Sequence, residues 1–205
     1  TQNTAVGANA LDSNTTGSFN VAIGDDALQA NTTGHYNVGI GQTALGQTTG
    51  GGNVAVGGAA LEANTSSSNN TAVGHSALSD NTTGNGTAVG SYALYASTTG
   101  TANTAVGHNS LGTNTTASNN TAVGFYALQA NTTGAENTAV GSLTLDANTT
   151  GDENTAIGKS ALGGNTTGEY NTAVGKGALQ SATTANHNTA VGKTALTSCT
   201  TGTMN

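Results

Sequence analysis

Residues 120–141 read NTAVGFYALQANTTGAENTAVG, and the last five residues of this stretch repeat the first five. The glycine that closes the motif recurs at 7, 24, 41, 57, 74, 90, 107, 124, 141, 158, 175 and 192. Nine of the eleven steps are 17 residues and two are 16, so the repeat occupies the whole chain. A fixed short period signals stacked structural units, and it outranks local propensity in deciding the fold. The unit is N-T-A-V-G-x-x-A-L-x-x-N-T-T-G-x-x.

Within one unit, N-T-A-V has the β-branched bias of a short strand. The residue before the motif glycine is always Val or Ile, and the residue two places earlier is Thr or Val. In extended chain these two share a face, which predicts a β-branched pair pointing inward and the Ala between them pointing out. The glycine then allows a sharp turn. The segment x-A-L supplies a Leu in all twelve units, and N-T-T-G makes a second turn. The core ladder expected from this pattern includes Val6, Leu11, Ile23, Leu28, Val123, Leu128, Val140 and Leu145. Both one-residue deletions fall at the second turn, beside Thr48 and Gly84, where a loop absorbs them. Leu and Val do not recur at a helical period. The reading is all-β: a repetitive parallel β-solenoid of twelve coils, one array over residues 1–205.

Composition sets limits on function. Hydrophobic residues make up 34%, charged residues 6%, and Pro is absent. The apolar residues stay in phase with the repeat, which argues for folded structure over low-complexity disorder. The net charge is −7, and the only basic residues apart from His are Lys159, Lys176 and Lys193. A nucleic-acid partner is excluded for want of a basic footprint. No run of residues has the length and apolarity of a membrane-spanning helix. Cys199, the single cysteine, permits no internal disulfide.

The residues NVAIG at 20–24, NVAVG at 53–57 and NTAIG at 154–158 resemble the SVAIG-type repeats of trimeric autotransporter adhesin heads. The longer NTAVGxxALxxNTTG form is similar to repeats in tail-fibre-like proteins of phages and bacteria. The resemblance covers all twelve repeats, although the period is longer than is typical of those heads. It implies left-handed parallel β-rolls with three chains about an axis, acting as surface adhesins or fibres. It brings no catalytic residue with it. A thin core of one Val and one Leu per coil points the same way, toward a homo-oligomer that buries further surface against copies of itself.

Some stretches imitate other chemistry. GIGQTA at 39–44 fits a dinucleotide-binding glycine pattern, but no helix is predicted to follow it. GKS at 158–160 and GKT at 192–194 lack the upstream glycine of a phosphate-binding loop, having Glu153 and His187 there. The histidines are too dispersed for a metal cluster, and the same small polar residues recur where catalysis needs unlike, convergent groups. No enzyme, cofactor or metal is expected. The sequons at Asn14, Asn31, Asn64, Asn81, Asn114, Asn131, Asn148 and Asn165 read as turn ladders.

Two surface ladders remain. Lys159, Lys176 and Lys193 stack in one slot of successive coils, a solvated stripe with Asp152, Glu153 and Glu169 on the same coils. A sharper reading makes them a weak site for polyanionic glycans or acidic lipid. Thr15, Thr32, Thr132, Thr149 and Thr166 belong to a Thr row at the second turn. Phe19, Tyr36 and Tyr170 decorate one corner and Tyr92, Phe125 and Tyr126 the other, and their irregular spacing favours an idle surface.

The expected function is a structural or adhesive fibre or stalk segment at a cell or virion surface, touching itself and a glycan or surface receptor. The rival expectation is ice binding by the Thr ladders. The chain opens already in motif, and Asn205 stands where a thirteenth coil would begin. That register leads one to expect end-to-end stacking or a longer repetitive parent.

Overall fold

The computed structural model describes residues 2–204; Asn205, the expected start of a further coil, lies outside them. Twelve strands form one parallel sheet in chain order, from β1 (Thr4–Val6) to β12 (Thr189–Val191). Each pairs with its sequence neighbour in register, as in Thr121↔Thr138, Ala122↔Ala139 and Val123↔Val140. The fold is a parallel β-solenoid, and no helix occurs among the described residues.

After each strand the motif glycine takes a backbone conformation closed to other residues. Gly124 has φ 143°, and an added Cβ would lie 2.6 Å from the carbonyl carbon of Gly141 on the next coil. Both the dihedral and the close approach demand glycine. Three linked turns follow. In the second coil Ala27 N donates to Gly24 O, Gln29 N to Asp26 O and Asn31 N to Leu28 O. The third residues of the first two turns, Asp26 and Leu28, sit at φ 57° and 54°. The core Leu is left-handed in all twelve coils, a conformation that costs a non-glycine residue about 1–2 kcal/mol. Coil-to-coil bonding fixes it: Leu28 N donates to Ala44 O at 3.0 Å, and Asp26 N reaches back to Ala8 O at 3.0 Å.

The inward face of the strands carries Ala, not the β-branched pair. Ala22, Ala55, Ala122, Ala139 and their equivalents in the later coils are buried, and Ala5 in the first strand is exposed. Val6 and Ile23 are 58% and 39% exposed, and Val123 and Val140 are half-buried. These four members of the expected core ladder therefore belong to the outer face. Leu11, Leu28, Leu128 and Leu145 do lie inside. The reason is width. At Gly39, the one strand whose middle residue lacks a Cβ, an added Cβ would already meet Leu28 Cγ at 3.3 Å and Ala44 O at 3.0 Å. The left-handed Leu fills the interior from the far side, so the strand can offer only a methyl. Because strand faces alternate, putting Ala inside puts every Val and Ile outside.

Two further rows fill the core, and both are Asn. An Asn leads the T-A-V segment of every coil but one, where Gly86 stands, and beyond the half-buried Asn3 it is buried and joins coils: Asn37 N donates to Asn20 Oδ1 at 2.9 Å, and Asn37 Nδ2 donates to Gly50 O at 2.8 Å. The Asn of N-T-T-G also points inward. Asn148 Nδ2 donates to Gly151 O at 3.0 Å and to Asn131 Oδ1 at 2.9 Å. Buried amides need such partners to offset desolvation. The second turn thus takes its Asn for an interior ladder. The sequons at Asn31, Asn64, Asn81, Asn114, Asn131, Asn148 and Asn165 are closed inside the coil.

The two short coils keep this core. In the first, Thr48 takes the buried Asn slot and the exposed second Thr is missing. In the second, β6 (Asn85–Val89) and β7 (Thr101–Val106) lengthen, with a register shift at Asn85/Gly86.

Candidate binding surfaces

Three surfaces follow from this packing. The outer face of the sheet shows a Val/Ile row beside a Thr row, with Val21, Val38 and Val54 in the Thr places near one end. Val6, Ile23, Val73, Val89, Val106, Ile157 and Val191 are each exposed by more than a third. With the half-buried Ile40, Val56, Val123, Val140 and Val174 they stack one per strand and make an apolar stripe along the whole sheet.

The second surface is the corner after the motif glycine. Its two positions project side chains outward, the second from a left-handed residue such as Tyr92 (φ 59°) or Tyr126 (φ 55°). Over four consecutive coils these positions, with Tyr95, assemble a continuous aromatic cluster. His75 meets Tyr92 edge-on at 5.4 Å between ring centroids, and Tyr92 meets Tyr95 at 5.7 Å and His108 at 6.2 Å. His108 stacks on Phe125 at 5.7 Å and contacts Tyr126 at 5.5 Å, while Phe125 and Tyr126 pack edge-to-face at 4.2 Å. The rings at this corner are therefore not scattered, as the sequence reading had them. The signal was their place in the coil: His75, His108 and Phe125 stand directly after the motif glycine, and Tyr92 and Tyr126 one residue further on.

At the opposite corner, Phe19 stacks on Tyr36 at 5.0 Å and Tyr170 on His187 at 4.8 Å, the two rings of each pair nearly parallel. Tyr170 stands among acids, and the charge of Glu153 foremost, then burial and Glu169, raise its hydroxyl pKa. This corner also holds Asp152, whose Oδ1 accepts from Ala135 N at 2.7 Å.

Lys159, Lys176 and Lys193 are exposed in the same row as His75, His108 and Phe125. Stacking of their coils is visible in Gly177 N donating to Lys159 O and Thr194 N to Lys176 O. The acids Asp152, Glu153 and Glu169 occupy the other corner, not the flank of this stripe. In the Thr row, Thr15, Thr132, Thr149 and Thr166 each donate their hydroxyl to the carbonyl of the equivalent Thr one coil on, at 3.0 Å. Thr32 lies in the same row, half-buried, and its carbonyl accepts from Thr15. The neighbouring row, with Thr16, Thr33 and Thr133, is exposed too, because the bend turns both hydroxyls of a pair outward.

Among the described residues no three His, Cys, Asp or Glu side chains group at metal-binding distance, the surface has no pocket, and no helix is long and apolar enough to cross a membrane. Compared with protein-family models, curated proteins and solved structures, the chain matches none.

Proposed function

We propose that the protein is a structural rod of an extracellular adhesive fibre or stalk, working as a homo-oligomer through the outer face of its sheet. The observation that carries this reading is the Val/Ile stripe, which a lone chain leaves exposed or half-buried from β1 to β12. Continuous exposed apolar surface of this kind belongs at interfaces. The stripe has the symmetry of the array, so a second or third copy of the same chain presents a matching row. Three copies is the number that the resemblance to adhesin heads favours. Every repeated position serves stacking, in keeping with a role in reach and surface. Negative-stain imaging tests the reading: rods thicker than one coil support it, and rods of single-coil width at working concentration overturn it.

A second reading has its own observation. The outer face sets a Thr row beside the Val/Ile row at the regular spacing of a parallel sheet, a better basis for ordering water than the bent turn. Ice binding by this face requires that it stay uncovered. Thermal hysteresis in dilute solution, abolished by Val123→Lys, is its expected outcome; freezing at the buffer's equilibrium point rules it out.

A further inference from the structure

We propose that the aromatic cluster of His75, Tyr92, Tyr95, His108, Phe125 and Tyr126 is a binding platform for an extended, uncharged polysaccharide. This deepens the adhesive reading above and rests on it.

Five observations carry the assignment. The rings are exposed or half-buried although each touches another ring, with Phe125 at 51% and Tyr95 at 40%. They step along the rod at 5.4, 6.2 and 5.7 Å from His75 through Tyr92 and His108 to Phe125. That is close to one coil per ring, and a pyranose unit is about as long as one such step. Successive sugar rings therefore find successive aromatic partners, each offering an apolar face and a polar edge.

The local charge defines the ligand further. Across these four coils, the two positions after the motif glycine and the Tyr95 row contain no Asp, Glu or Lys. Asp80 is the one acid on the outward side of those turns, and the Lys stripe begins two coils beyond Phe125. A polyanion, single-stranded nucleic acid included, needs a basic track beside its stacking platform. A neutral chain needs none. Hydroxyl-rich ligands also require hydrogen-bonding groups, and the hydroxyls of Tyr92, Tyr95 and Tyr126 are engaged in no hydrogen bond among the described residues. Finally, with no pocket on the surface, the ligand must lie across several coils as a chain, because no cavity encloses a single sugar.

The test is titration of the whole chain by calorimetry and by tyrosine fluorescence with three probes: the β-1,4-linked hexasaccharides of glucose, xylose and mannose. Binding of at least one at millimolar concentration or below is expected. Tyr92→Ala with Phe125→Ala weakens it about tenfold or more, while Phe19→Ala with Tyr36→Ala at the opposite corner leaves it unchanged. Absence of binding by all three overturns the platform, as does equal binding by the Tyr92/Phe125 variant. Sedimentation of the same samples separates the two ideas. A platform variant that changes oligomer size while the wild type binds no sugar shows a self-contact, which also defeats the proposal. Failure of sugar binding with the oligomer intact leaves the fibre reading standing.

Discussion

At the residue scale the repeat is governed by what each slot can donate, accept or fit. The corner Asn ladder shows this by its defects. Asn165 Oδ1 and Asn81 Oδ1 are buried without a hydrogen-bond partner, as is Ser97 Oγ. One coil beyond Asn165 the ladder position holds Ala182, and one coil beyond Asn81 it holds Ser97. The amide that would donate is lost in both places, and the shorter Ser97 hydroxyl makes no hydrogen bond in its stead. Ala182→Asn restores the donor and is expected to stabilise the chain by about 1 kcal/mol. The slot has room, because Asn114 occupies its equivalent over an Ala corner, donating to Ala117 O at 3.1 Å. A lower melting temperature for this variant would contradict the ladder account.

Asp146 is a second local conflict. Burial raises its carboxyl pKa above the ordinary 3.8, against a smaller opposing pull from its own backbone N–H. Since the fold holds this proton more tightly than the unfolded chain does, stability falls as pH rises from 3.8 through the folded pKa, and the deficit persists above it. Asp146→Asn should therefore raise the melting temperature at about pH 7 and leave it nearly unchanged at about pH 3. An equal gain at both values would place the cause in packing and not in charge.

At the element scale, the sequence showed the period, the parallel stacking, the Leu row of the core (buried in every coil but the last, where Leu196 is exposed) and the corner that tolerates deletion. It did not show which strand face is inside. The rule that large apolar residues go in predicts Val and Ile, but the left-handed Leu leaves room for a methyl only. That Leu conformation has no signature in the repeat, because Asn or Gly, not Leu, ordinarily marks a left-handed residue. The buried Asn rows were masked by the turn preference of Asn, which explains their position equally well. The aromatic cluster was legible in the coil spacing, but it needed the corner geometry to show that rings on adjacent coils touch.

The face assignment makes opposite predictions for adjacent residues. Ala122→Val should overpack the interior and cost about 1–3 kcal/mol. Val123→Ala, on the outer face, should cost the isolated chain about 0.5 kcal/mol or less, as surface substitutions do. Urea denaturation of the two variants under dilute conditions checks the order. A costlier Val123→Ala would restore the inward β-branched face.

At the scale of the whole molecule, the coil is narrow: Leu, Ala and Asn rows fill it, and its larger β-branched residues are left on the outer face. Most of the backbone bonding joins one coil to the next, so a defect is confined to its neighbours and the rod behaves as a one-dimensional array. What such an array offers a partner is repetition. The Val/Ile stripe is where the proposed self-association would use it, and the aromatic corner interrupts the repetition where four coils differ from the rest.

The central claim is that the Val/Ile face is covered by other copies of the chain. Sedimentation equilibrium at micromolar concentration tests it most directly, on the wild type and on a variant carrying Ile40→Ser, Val56→Ser and Val73→Ser. The expected wild-type mass is two or more times the 19.7 kDa of one chain, and the expected variant has single-chain mass with circular dichroism that remains β. A wild type of single-chain mass with full β content would contradict it.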